Sequence, residues 1–127
     1  MGKVVITPPV GVPLAGYSLR KGRSIGVHDD LYAKALVVGD GERYAVLVSL
    51  DLCVASRAIA SAVRSLVKSE LALDENSVMI TTTQTHSGPV VNPLYGAPRA
   101  TEASQAWLQL LPSLIMGAVC LAWRSMK

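Results

Sequence analysis

Two histidines and a set of aspartates carry most of the chemistry this chain can offer. His86 lies in the run Thr83-Gln84-Thr85-His86-Ser87-Gly88-Pro89, where a β-branched segment empties into a tight turn. His28 leads into Asp29 and Asp30, and Asp51 closes an apolar run at Leu50. Imidazole and carboxylate together suit zinc or a similar divalent cation, with carboxylates orienting the histidines from behind. Each aspartate taken singly also has a structural use, capping a loop or accepting turn amides. Facing carboxylates repel unless a proton, a cation or amide donors intervene.

These residues need elements to bring them together. Lys3–Thr7 reads as a first strand, stopped by Pro8-Pro9, and residues 10–27 as an ordered Gly- and Pro-rich loop. Leu31–Val38 and Arg43–Leu50 read as two strands joined at Gly39-Asp40-Gly41, a strong turn signal. Arg43–Leu50 is apolar enough to be buried on both faces. Ser56 is a candidate N-cap, and Ile59, Val63, Leu66 and Val67 follow helical spacing. Val78–Thr83 is the next strand. Strand, helix and strand in that order imply a right-handed parallel crossover.

A turn centred on Asp40-Gly41 sets Gly39 against Glu42 and Asp30 against Asp51. Parallel pairing of Arg43–Leu50 with Val78–Thr83 then brings Asp51 near Gln84 and His86. His28, Asp29, Asp30, Asp51, Gln84 and His86 should gather along one sheet edge, with Ser87 and Gly88 in the adjoining turn. Open α/β sheets bind ligands at the carboxyl ends of their parallel strands. The fold class is therefore α/β: a mixed sheet with a β-hairpin and a right-handed β-α-β crossover, and helices packed on the sheet.

Composition narrows the function classes. The chain has 127 residues, half of them hydrophobic, with no Phe and a net charge of +3. That excludes disorder. Arg20-Lys21-Gly22-Arg23 is the nearest thing to a basic cluster and sits in a loop, either solvated or facing an anion. No basic helix face interleaved with aromatics points to nucleic acid. Cys53 and Cys120 sit in apolar settings and read as buried free thiols. The N-terminus reaches Thr7-Pro8-Pro9 without an apolar segment, so no signal peptide is expected. Residues 87–101 form a loop with Pro89, Pro93 and Pro98. Residues 102–124 read as a helix broken at Pro112. Residues 103–123 carry no charge, long enough to cross a bilayer, although a helix covering the sheet fits its Gln and Ser residues better. A membrane surface stays open as a partner.

Five segments resemble the N-terminal part of the neutral/alkaline, non-lysosomal ceramidases. They are Ile6-Thr7-Pro8-Pro9, Pro13-Leu14-Ala15-Gly16-Tyr17, the ten residues from Gly26 to Ala35, Val48-Ser49-Leu50-Asp51-Leu52, and Thr85-His86-Ser87-Gly88-Pro89. The likeness runs from about residue 3 to residue 92, in order and in spacing. The resemblance implies a zinc-dependent amidase that hydrolyses the N-acyl bond of ceramide, or of another N-acyl amide, to release sphingosine and a fatty acid. It implies His86 as ligand or polar catalytic partner and Asp51 as a group behind it. The family has histidine where Gln84 stands, and that histidine pair includes a zinc ligand. Family catalytic regions run to several hundred residues, and the other zinc ligands and the serine segment lie beyond the matching part. Residues 1–127 are accordingly expected to form one incomplete ceramidase-like region, inactive alone, that self-associates or meets a complementary chain. The alternatives are a noncatalytic lipid- or amide-binding module, and a small membrane-associated protein inserting through residues 103–123.

Overall fold

Alternation of apolar side chains builds the sheet, and one-sided burial explains its shape. The structure, a computed structural model, describes residues 1–92 and 100–126. Its strands are β1 (Gly2–Val5), β2 (Tyr32–Gly39), β3 (Tyr44–Leu50) and β4 (Val78–Thr82), hydrogen-bonded in the order β1-β2-β3-β4. The first three run antiparallel in sequence, while β3 and β4 are parallel. Helix α1 (Arg57–Leu71) connects β3 to β4, and helix α2 (Glu102–Arg124) follows. The mixed α/β sheet with its hairpin, its β-α-β unit and two packed helices is the expected architecture.

Ala33, Ala35 and Val37 on β2 and Val46, Val48 and Leu50 on β3 are buried beneath the helices. Leu36, Val38, Leu47 and Met79 lie on the opposite face and are 39–58% exposed. The expectation that β3 is buried on both faces therefore fails. Among the described residues, both helices cover the same face, and β3 alternates as a one-sided strand does.

The hairpin register also differs from expectation. Gly39 pairs with Tyr44, so the turn holds four residues rather than two. Asp40 causes this. Its carboxylate accepts the amides of Glu42 (3.0 Å) and Arg43 (2.7 Å), an Asx turn that draws two more residues into the loop. These amides hold the Asp40 carboxyl below its ordinary range. Asp51 consequently falls opposite Tyr32, not Asp30.

Both helices begin on side-chain caps. Ser56 Oγ accepts the Ile59 amide, and Thr101 and Ser104 form a reciprocal capping box. Ile59, Val63 and Val67 form the buried stripe of α1. Helix α2 is continuous through Pro112, where a break was expected. Proline removes one backbone hydrogen bond, but Trp107 and Leu111 before it and Ile115 and Met116 after it are all buried, which holds the axis. The Trp107 indole donates to Ile6 O at 2.9 Å, tying the start of α2 to the end of β1. By length and composition α2 could cross a membrane; here its apolar side lies on β1, β2 and α1. Cys53 and Cys120 are half-buried rather than buried. Burial and the nearby Glu70 carboxylate push the Cys120 thiol up, away from a reactive thiolate. Of the loop with three prolines, Pro93 and Pro98 lie outside the described residues.

Two residues three apart on β3 test the one-sided core. Leu50 is fully buried and Leu47 is not. Leu50→Ala is expected to cost about 2–5 kcal/mol of stability, and Leu47→Ala to stay within roughly 0.5 kcal/mol. Urea unfolding of the two variants checks this. Equal losses would mean that Leu47 is also packed.

Candidate functional site

The parallel pair fixes the end of the sheet where polar residues collect. Leu50 pairs with Thr82, and the pairing runs on past the strands: Thr83 N donates to Leu50 O (3.0 Å) and Thr85 N to Leu52 O (3.1 Å). Asp51 and His86 therefore both follow the carboxyl ends of neighbouring parallel strands. Asp51 is held in place. Its amide donates to Tyr32 O, its carboxylate accepts the Tyr32 amide at 3.1 Å, and Lys34 Nζ stands 3.5 Å away.

His86 sits in a contorted turn. Gln84 and Ser87 both have positive φ, 56° and 63°. Non-glycine residues adopt that conformation only where the surroundings enforce it. A second segment does so here. Ala15 N donates to Gly88 O (2.8 Å), Ser87 N to Ala15 O (3.0 Å) and Val90 N to Pro13 O (2.9 Å), and Leu14 pairs with Pro89 as an antiparallel bridge. Residues 13–15 thus pair with residues 87–90. Gly16, with φ +99°, lies directly under the imidazole: a Cβ there would come within 2.6 Å of His86 Cγ. Tyr17 meets the imidazole edge-to-face at 5.2 Å between ring centroids. Arg20 stands over the Tyr17 ring and donates to Ser87 Oγ at 2.8 Å.

Beside this turn is a small open cleft of about 60 Å³. Thr7, Ser24, Asp29 and Ser87 give it polar groups, and Leu14 and Leu31 are among its apolar walls. Gly88, between the lining residues Ser87 and Pro89, is buried.

The expected cluster is only partly assembled. Asp29 and Ser87 share the cleft, and His86 adjoins Ser87. His28 is turned to solvent, with its side chain 98% exposed, and pairs with Asp29 at 2.7 Å. That hydrogen bond and the Asp29 charge raise the His28 pKa above its ordinary value. Asp30 accepts the Thr7 hydroxyl at 2.7 Å while Thr7 Oγ1 accepts the Leu31 amide, a structural role. The four-residue hairpin turn is why Asp30 does not face Asp51. Zinc sites take three or four convergent protein ligands. Among the described residues no three His, Cys, Asp or Glu side chains converge. Asp51 is engaged by Tyr32 and Lys34, His28 by Asp29, and the remaining candidate donors are His86 and the amide of Gln84. The residues present therefore do not by themselves fit a zinc centre.

Gly16, Tyr17 and Arg20 were not foreseen as parts of the site. Gly16-Tyr17 stood in a family-like segment, but only the fold brings it beneath His86. Gly16→Ala is expected to destabilise by about 1–3 kcal/mol through its positive φ, and to displace the imidazole from Tyr17. Chemical unfolding with histidine ring NMR checks both. An unmoved ring with unchanged stability would contradict the close approach.

Residues 1–106 match the family described as neutral/alkaline non-lysosomal ceramidase, N-terminal. The neutral ceramidase of Pseudomonas aeruginosa is 34% identical over 94 residues, which is 70% of this chain and 14% of that protein. The crystal structure of neutral ceramidase from Pseudomonas aeruginosa superposes with a TM-score of 0.79 and 27% identity, covering 97% of this chain and 21% of the other. A structure of ceramidase complexed with C2 gives the same score and identity over 20% of its chain. The chain thus spans 14–21% of the length of the relatives it matches. On the match of residues 1–106, it belongs to the neutral/alkaline non-lysosomal ceramidase family and corresponds to its N-terminal region.

Proposed function

We propose that this chain supplies one wall of an amide-hydrolysing site for ceramide-like lipids or other N-acyl amides, with His86 as its working group. The observation that carries the reading is the placement of His86 at the carboxyl end of the β3–β4 pair, in the family segment Thr85–Pro89. Two backbone bonds link Ala15 to the His86 turn, and Tyr17 meets the ring. An imidazole held at this point can accept a proton from one reacting group and return it to another. Ser87 and Asp29 line the adjoining cleft, where they would meet polar groups of the substrate. Asp51 acts behind them, keeping the edge of β2 in register through the Tyr32 amide.

Zinc enters this reading through the family likeness alone. The chain offers one imidazole toward it, and Gln84 stands where the family has histidine. A complete metal site would draw its other ligands from residues outside this set. Gln84 also favours a second reading, a noncatalytic module that keeps the cleft for an amide or lipid. The uncovered sheet face with Leu36, Leu47 and Met79 supports pairing with a complementary body of protein in either case.

Grafting decides between the two. Residues 1–106 replace the matching segment of the Pseudomonas aeruginosa neutral ceramidase, and release of fatty acid from ceramide is measured. The hydrolase reading predicts activity in the Gln84→His form of the graft and a loss of about 10²–10⁴-fold when His86→Ala is added. A folded graft that is inactive with both Gln84 and Gln84→His would leave the binding module. Full activity in the His86→Ala form would remove His86 from the mechanism.

A further inference from the structure

The turn that carries His86 is bounded by Gln84 and Ser87, both left-handed at φ 56° and 63°. Backbone bonds from Ala15 reach Ser87 and Gly88 and fix the turn's main chain. They leave the Ser87 side chain and the plane of the imidazole undetermined. One residue addresses both. Arg20 Nη2 donates to Ser87 Oγ at 2.8 Å, and the same guanidinium lies 5.2 Å from the centre of the Tyr17 ring. The Tyr17 ring in turn meets His86 at an interplanar angle of 90°. The chain from guanidinium to phenol ring to imidazole is contiguous, and Ser87 closes it into a loop.

We propose that Arg20 is a positioning residue for His86: it locks the Ser87 end of the turn and holds the Tyr17 ring perpendicular to the imidazole. The planar fork of arginine suits this double duty, because one N–H reaches the hydroxyl while the delocalised charge stands over the ring. Lysine has a single point charge on a flexible stem and cannot do both. Gly16 completes the arrangement from below by leaving room for the ring. The inference bears on hydrolysis only through the role of His86 proposed above. The test reads geometry without turnover, so the two can fail separately.

The chain has two histidines, so histidine-labelled protein gives two ring systems by NMR. His28, 98% exposed and paired with Asp29, is the second ring system and the internal reference, assigned with His28→Gln. Tyr17→Leu defines the shift of the His86 ring protons when the phenol ring current is lost. Arg20→Ala is expected to move those protons most of the way to the Tyr17→Leu position, with His28 and the β2 and β3 amides unmoved. Arg20→Lys is not expected to restore them. Ser87→Ala removes the same hydrogen bond from the acceptor side. It should move the His86 signals in the same direction, and the double variant should move them no further than Arg20→Ala alone. His86 ring signals that stay in place in Arg20→Ala while moving in Tyr17→Leu would overturn the proposal. So would additive shifts in the double variant. Should Arg20→Ala lose the strand amide signals, Ser87→Ala decides alone: unmoved His86 signals there overturn the proposal.

Discussion

The parallel pairing of β3 with β4 is the constraint on which the candidate site depends. Parallel neighbours need a long crossover, and α1 supplies it while burying Ile59, Val63 and Val67. The pairing carries on for three residues beyond the strands, so Asp51 and His86 leave the sheet at the same end. A helix that packed less well would loosen β4, and with it the turn that bears the imidazole. Stability of the core and position of the site are thus one problem.

The second constraint is the arm formed by residues 10–27. It has little core of its own beyond Val12 and Pro13. It is held by bonds of Gly11 and Val12 to the backbone and hydroxyl of Ser24, and by backbone pairing of residues 13–15 with residues 87–90. Such bonds are individually modest in net energy, and the arm works because several close at once around a glycine that permits contact. The cost is two non-glycine residues in left-handed backbone beside His86, a strain that is common at functional sites. An arm that is stapled to the turn rather than buried beneath it can present a side chain to a cleft without filling that cleft.

Much of this was legible in the residues. Apolar runs between turn signals placed the four strands, helical spacing after Ser56 placed α1, and the uncharged stretch of residues 103–123 placed α2, because local pattern and tertiary burial agree there. What failed did so for identifiable reasons. The Asp40 carboxylate captured two amides and lengthened the hairpin, which moved the partner of Asp51 from Asp30 to Tyr32. Burial on both faces of β3 was read from an apolar run, yet an uncovered sheet face can be apolar as well. Pro112 looked like a break because the packing on either side of it is not visible in sequence. The meeting of Gly16 and Tyr17 with His86 joins segments some seventy residues apart, and no local pattern encodes it.

The central claim is that this chain, by itself, holds the His86 turn against residues 13–16. Amide hydrogen exchange of the 127-residue protein tests it most directly. The Ala15 and Ser87 amides donate to Gly88 and Ala15, so both should exchange far more slowly than the free amides of exposed loop residues such as Ile25. Exchange of Ala15 and Ser87 at the free rate, while the β2 and β3 amides remain protected, would contradict the account. The sheet would then form without positioning its histidine.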